Sequence, residues 1–312
     1  MLDISVITPV YNAAEFLEKA VRSAVQFEEV KEVILVEDRS TDHSLEICRR
    51  LTDEIPKVKL YQHPDKGNHG AGASRNLGIE KATGSFIAFL DADDYYLPNR
   101  FDAEKEQFQD PKTEGIFNAI GTEYLTEKGR REFEAKFKKL TLTTVNYHAE
   151  GKEVFRGLLG LTPEKFGTFF TLDALTIRKS SLDSAQLRFN VALRVHQDSD
   201  FIIKLAYHCY LKTGNIDQAV AMRGVHDNNR ITKITRYTPE YNQRQALLWK
   251  SLYQWAKRNS IPSEEKKRIY LVYKSFDLAL KKGIVKYSGI LLEIIKNPEI
   301  LKTRYRFTYY TR

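Results

Sequence analysis

The stretch SFIAFLDADDYYLPNRF, residues 85–101, decides how this chain is read. After Ser85 it is apolar through Leu90, the pattern of a strand buried on both faces. It then runs straight into three carboxylates, Asp91, Asp93 and Asp94. Like charges crowded at the end of a buried strand repel one another unless a bound cation or hydrogen-bond donors hold them. Any one of these aspartates, taken alone, is most simply a turn cap. The cluster as a whole calls for a ligand.

Upstream, apolar runs alternate with helical patterns. ISVIT (4–8) precedes Phe16, Leu17, Ala20, Val21, Ala24 and Val25 at helical spacing. EVILVE (32–37) precedes a helix expected from about Asp42 to Leu51, with Ser40, Thr41 or Asp42 as N-cap. VKLYQ (58–62) is followed by a helix in GASRNLGIEKA (72–82), then by the opening stretch, in which Pro98 marks the expected start of a fourth helix. Such repeats predict an α/β fold, a mainly parallel sheet covered by helices on both faces, whose ligands bind at the carboxyl ends of the strands. Three polar clusters fall at those ends: TPVYN (8–12), EDRST (37–41) and DADD (91–94). A parallel sheet gathers them at one rim, which is expected to bind a metal-associated or polyhydroxyl ligand.

Composition sets the bounds. The chain has 312 residues, 42% of them hydrophobic, enough for one large domain or a domain with an appendage. Its apolar runs are too short to cross a bilayer, and a first strand from Asp3 leaves no room for a signal peptide, so a cytoplasmic site of action is expected. Cys48 and Cys209 have neither metal-ligand spacing nor the density of a disulfide framework. The net charge of +8 suits polyanions, whether nucleotide phosphates, an anionic membrane or nucleic acid, without choosing among them.

In that order, SVITPVYNAAEFLEKAVRSAV, EVILVEDRSTDHSLEI, GAGASRNLGIEKATGSFIAFLDADD and YLPNRF resemble the nucleotide-binding half of the family 2 glycosyltransferases, with the GT-A fold. The resemblance implies an inverting transfer of sugar from a nucleotide-diphosphate donor, a UDP-sugar first, to a hydroxyl acceptor on a glycan or lipid. Thr8, Pro9 and Tyr11 match the segment lining the base pocket, and Asp38 matches the acid that accepts from a pyrimidine imide N–H. Family members carry Asp-Asp-Gly where this chain has Glu37-Asp38-Arg39, which puts a bulky cation on a turn beside the nucleotide. Asp91-Ala92-Asp93 matches the DXD motif: Asp93 as ligand of a divalent cation, Mn2+ or Mg2+, and Asp91 near the ribose. Asp94 is structural in this pattern. Arg75 and Asn76 match a pair facing the same rim, with Arg75 either holding the donor or serving as a buried partner of Asp91.

Beyond residue 128 the resemblance thins. KGRREFEAKFKKLTL (128–142) reads as an insertion with a solvated face. In VHQDSDFIIKLAYH (195–208), Asp198 occupies the place of the family's catalytic base, while the competing reading makes it a helix cap with Asp200 its exposed neighbour. AVAMRGVHDNNRIT (219–232) resembles the strand and loop that supply a metal-ligating histidine, here His226, with Asn228, Asn229 and Arg230 as phosphate or acceptor contacts. The expected division is a GT-A domain over 1–235, with a nucleotide-sugar half (1–127) and an acceptor half (128–235). A helical region follows over 236–312 and ends in a basic, aromatic tail. That tail suits an anionic membrane surface or a terminal strand, and the helices suit packing on the domain or on a second copy in a homo-oligomer. A sugar-nucleotide pyrophosphorylase is disfavoured because ITPVYNAAEF (7–16) lacks a Gly-rich signature. A non-catalytic nucleotide-sugar or glycan binder stays open, and specific nucleic-acid binding is motivated by charge alone.

Overall fold

Strands formed by near-continuous apolar runs must be covered on both faces, and the computed structural model does this. It describes residues 2–137, 141–167, 170–227, 229 and 238–303. The expected basic aromatic tail from 304 onward, the boundary at 235/236, Asn228 and Arg230 lie outside the described residues. Contacts group the chain into two units, Met1–Arg194 with Phe201–Thr232, and Val195–Asp200 with Lys233–Arg312.

The first unit opens with β1 (Ile4–Val10), α1 (Leu17–Val25), β2 (Val30–Glu37), α2 (Ser44–Glu54), β3 (Val58–Gln62), α3 (Ala71–Lys81) and β4 (Phe86–Phe89). It continues with β5 (Tyr95–Tyr96), α4 (Asp102–Gln107), β6 (Gly115–Phe117), β7 (Ala119–Tyr124), α5 (Glu127–Phe137), α6 (Lys152–Leu158), β8 (Leu175–Arg178) and α7 (Lys179–Ser184). Then come α8 (Gln197–His208), whose first turn belongs to the second unit, β9 (Leu211–Thr213) and β10 (Ala219–Val225).

The main sheet has the order β3-β2-β1-β4-β8-β6-β9. β1 pairs in parallel with β2 and β4, β2 with β3, and β6 with β9, while β8 runs antiparallel to β4 and β6. The chain builds outward from β1 through β2 to β3, then returns to the other side of β1 with β4. That reversal is a topological switch point, and in open α/β sheets ligands bind at the carboxyl ends of the strands that flank such a point, here β1 and β4. A smaller sheet, β5-β10-β7, lies beside the turn that follows β4.

One sequence expectation needs correction here, and another holds. The fourth helix starts at Asp102 and not at Pro98, because Asn99 and Arg100 are used otherwise. Asn99 donates to the Ala219 carbonyl at 3.1 Å, and Arg100 turns its guanidinium into the core. The charged run after 127 does present a solvated face, Lys128, Arg130 and Arg131 being exposed, while α5 also buries Phe133 at 2% exposure.

The second unit holds α9 (Pro239–Arg258), α10 (Ser263–Ala279) and α11 (Gly283–Lys296). Thr238 caps α9 by accepting from the Tyr241 N–H at 3.2 Å, with Pro239 just inside the helix. Ala246, Val272 and Phe276 form one core patch between α9 and α10. No described helix is long and apolar enough to cross a membrane.

Candidate active site

The loops after β1 and β2 are laced together. Asp38 N–H donates to the Val10 carbonyl at 2.9 Å, Asn12 Oδ1 accepts from Thr41 N–H at 2.8 Å, and the Ser44 hydroxyl accepts from Ala13 N–H at 2.9 Å. Glu37 is buried and accepts from Ser40 N–H at 2.5 Å and from Gln62 Nε2 at 2.6 Å, so it braces the turn. Thr8 is fully buried, and its hydroxyl makes no hydrogen bond among the described residues, whereas Tyr11 is half exposed at the mouth. Arg39 sits at φ 61°, a left-handed backbone that an L side chain adopts at a cost, and its residue is exposed.

Asp38 is 2% exposed, and its two oxygens accept from the backbone N–H groups of His69 and Gly70, both at 2.7 Å. Each oxygen keeps a second acceptor site. Gly70 is required there: its φ is 84°, and a Cβ would meet the Arg194 guanidinium at 2.6 Å. His63 lies 3.7 Å from Asp38, and burial, reinforced by the neighbouring His69, lowers its pKa.

On α3, Arg75 is almost fully buried and donates to Asp91 Oδ1 at 2.5 Å. The geometry thus places it as the partner of Asp91. Asn76 spends its amide on the Phe189 backbone, donating to the carbonyl at 2.9 Å and accepting from the N–H at 2.8 Å.

Past β4 the carboxylates separate into two settings. Asp93 Oδ2 lies 3.2 Å from His226 Nε2 and 3.3 Å from Asn229 Nδ2, with the His226 ring packed against Phe16 in a tilted arrangement, centroids 4.6 Å apart. Asn229 also donates to the Gly224 carbonyl at 3.1 Å. Asp94 is buried and accepts from Gly224 N–H at 3.0 Å. Gly224 must lack a side chain, since a Cβ would sit 2.3 Å from the Asp93 carbonyl oxygen.

Asp91, Asp94 and a residue not singled out from sequence, Asp173, each present an oxygen within 4.8 Å of the others. Asp173 accepts from Asp91 N–H at 2.8 Å. Burial, then the charge on Asp91, pushes Asp173 up to about 7. Burial and the surrounding aspartates push Asp94 well above the usual range as well. Burial and mutual repulsion thus disfavour full charge on Asp94 and Asp173 together.

Asp173 is held in place by Arg100, whose Nε donates to its carbonyl at 3.0 Å. Arg100 in turn forms an ion pair with Glu104 at 2.6 Å, both side chains being 0% exposed. Sequence reasoning missed this network, and a charged pair one turn apart in RFDAE (100–104) was the available signal.

Asp198 is exposed in the first turn of α8, accepts from Ser199 N–H at 2.8 Å, and lies in the second unit. Asp200, expected as the exposed neighbour, is instead fully buried. His196, at φ 62°, has its pKa lowered by burial, with Asp198 opposing that shift.

Compared with known proteins, residues 5–170, more than half the chain, match the model of Glycosyl transferase family 2. The chain belongs to that family. An uncharacterized glycosyltransferase of Haemophilus influenzae is 41% identical over 102 residues, 32% of this chain and 40% of that protein. The succinoglycan biosynthesis protein ExoO of Rhizobium meliloti is 30% identical over 198 residues, 63% of this chain and 53% of that protein. The chain thus matches about half or less of the length of these curated relatives.

Among solved structures, S. aureus TarS 1-349 in complex with UDP-GlcNAc superposes with a TM-score of 0.62 at 17% identity, covering 96% of this chain and 81% of that one. The Pyrobaculum calidifontis mannosyltransferase PcManGT, in complex with GDP-Man and Mn2+, gives 0.54 at 15% identity, covering 99% and 85%. The GT-A architecture expected from sequence, a mainly parallel sheet flanked by helices with further helices at the C-terminal end, is the observed one. The segment matched by the family model includes Asp38, Arg75, Asp91, Asp93 and Asp94, and ends before Asp173, Asp198 and His226.

Proposed function

We propose that the chain is an inverting glycosyltransferase that moves a hexosyl or N-acetylhexosaminyl group from a nucleotide-diphosphate sugar to a hydroxyl acceptor, in the synthesis of a surface glycan or polysaccharide. The observation that carries this reading is the meeting of Asp93, in the turn after β4, with His226 just past β10, while Asp91 in the same turn is held by the buried Arg75. Family membership, the UDP-GlcNAc complex of TarS and the name of ExoO support it. UDP is the preferred donor nucleotide in this reading. The division into a donor half over 1–127, an acceptor half over 128–235 and a helical region over 236–312 belongs to the same proposal, as does a cytoplasmic working site.

In this reading Thr8, Pro9, Tyr11, Glu37 and Asp38 receive the base, the second acceptor sites of Asp38 taking the ring N–H. Arg75 orients Asp91 toward the ribose, with Ala92 and Asp93 following at the diphosphate. The donor set fits a divalent ion such as Mn2+ or Mg2+. A carboxylate and an imidazole are competent ligands, and Asp93 Oδ2 and His226 Nε2, in hydrogen-bond contact at 3.2 Å, would hold it. When bound, such an ion offsets the charge gathering on the departing diphosphate. Asp198 removes the proton of the acceptor hydroxyl as it attacks opposite the leaving group.

The test is calorimetric titration of UDP, dTDP and GDP, each with and without Mn2+, beside a transfer or donor-hydrolysis assay. We expect metal-dependent binding of UDP, lost in D93A, and a D198N variant that binds UDP within a few-fold of wild type but turns over about 100-fold or more slower. An active D198N refutes the base. Absence of binding for every nucleotide refutes the donor site.

A further inference from the structure

In α11, GIVKYSGILLEIIK, the side chains of usual character face the wrong way for a helix resting on its own domain. Ile284, Val285, Tyr287, Leu291, Leu292 and Ile295 are 57 to 84% exposed. At 100° per residue they fall on one broad face. The opposite face packs Ile290 and Ile294 against Leu271, Leu278 and Ile300, and with them it buries Glu293 at 5% exposure. Glu293 is satisfied there by the Tyr270 hydroxyl at 2.9 Å and by Asn297 Nδ2 at 2.7 Å. The helix thus turns its carboxylate inward and its aliphatic stripe outward, an arrangement that costs stability in water.

The charge around the stripe is mostly positive: the described residues 278–303 hold five Lys and two Glu, and Asp277 just before them is paired with Lys274 at 3.3 Å and lies 3.9 Å from Lys281. Of the two Glu, Glu293 is buried and Glu299 is paired with Lys267 at 2.9 Å. Lys281 and Lys282 lie just before the helix, and Lys296 ends it at the edge of the apolar face, all exposed. Lysines there lay their stems along apolar surface and keep their charge at headgroup level.

We infer that α11 is an interfacial helix that docks the chain on an anionic lipid surface, its apolar stripe in the acyl boundary and its lysines on the headgroups. With 14 residues the helix is about 21 Å long, short of a bilayer core of about 30 Å, so it lies in the plane and does not cross. This docking is independent of the transfer reaction and of the nucleotide site.

The test is flotation of the full chain with vesicles of phosphatidylcholine alone and of equal parts phosphatidylcholine and phosphatidylglycerol. Wild type is expected to float with the anionic vesicles and to dissociate as salt is raised. The I284E/L291E/I295E variant is expected to lose about tenfold or more of that binding, and K282E/K296E several-fold. L291C carrying an environment-sensitive dye tests the same face without charging it, and the two native thiols, Cys48 and Cys209, are buried and leave the label selective. A blue shift on anionic vesicles supports the inference.

Four results would overturn it: no flotation of wild type; flotation with the dye unshifted; loss of flotation on deleting 304–312 alone; or a solution dimer, dissociated by I284E/L291E/I295E, in a chain that ignores lipid. UDP titration of the same variants keeps the two proposals separable, since failure of docking leaves donor binding unchanged.

Discussion

Replacing Arg100 by methionine tests whether the buried Arg100–Glu104 pair holds the Asp173 segment in place. The guanidinium is 0% exposed and donates to Glu104 at 2.6 Å, the Asp173 carbonyl at 3.0 Å, the Leu175 carbonyl at 3.2 Å and the Thr176 hydroxyl at 3.3 Å. In R100M those acceptors lose a buried donor and Glu104 is left without its cation, the situation that costs about 3–5 kcal/mol. For a unit of this size each kcal/mol moves the melting temperature by about 2–4 °C, so a fall of roughly 6–20 °C is expected.

The pH dependence has a definite sign. Burial raises the Glu104 pKa, and Arg100 is the largest opposing influence. Removing Arg100 raises it further. A carboxyl whose folded pKa is raised favours the fold below its unfolded value and loses that contribution as pH rises through the folded one. R100M is therefore expected to recover part of its loss between pH 7 and pH 5. The double variant R100M/E104M, which removes both charges, is expected to recover most of the single-variant loss. Differential scanning calorimetry at both pH values reads all of this. A fall under 2 °C for R100M, or a double variant less stable than either single one, would refute the reasoning.

Three further outcomes follow from the same geometry. G224A forces a methyl to 2.3 Å from the Asp93 carbonyl oxygen, so it should cost about 1–3 kcal/mol and weaken metal-dependent UDP binding by displacing the 93–94 turn; unchanged melting and titration curves would contradict the close approach. R39G relieves a left-handed L residue at a cost of about 1–2 kcal/mol, partly offset by glycine's freedom in the unfolded chain, so a gain of about 0.5–1 kcal/mol is expected, and a lower melting temperature would count against the strain. For Glu32, burial raises the pKa but is outweighed by donors from Thr83 N–H at 2.7 Å, the Ser5 hydroxyl at 2.7 Å and the Thr83 hydroxyl at 2.9 Å, leaving it lowered. A depressed carboxyl stabilises the fold above its unfolded value of about 4.3 and loses that as pH falls through the folded value. E32Q should thus flatten the acid side of the stability curve, and an unchanged acid limb would remove Glu32 from it.

Much of the fold was legible in the sequence because the signals are local. β1, β2 and β4 are short apolar runs, α1 repeats its apolar residues at helical spacing, and Asp91, Asp93 and Asp94 lie together in the turn that leaves β4. Helix starts were less legible. The start of α4 slipped to Asp102 because Asn99 and Arg100 bond to residues far along the chain, which no local propensity encodes.

Tertiary structure alone decided the rest, for one physical reason: contacts between distant residues depend on strand order. Asp173 stands 82 positions from Asp91, yet β8 runs antiparallel to β4, pairing Thr176 with Ala88, so the residues before β8 arrive where β4 ends. Gly224 and His226 reach the same turn through β10, which pairs with Tyr95 and Tyr96 just beyond it. Likewise, GIVKYSGILLEIIK reads as an amphipathic helix, and that it has an apolar face is already written in its spacing. That this face points outward, with Glu293 turned in, follows from which side finds partners on Tyr270 and Leu278, a choice that exists only once the chain has folded.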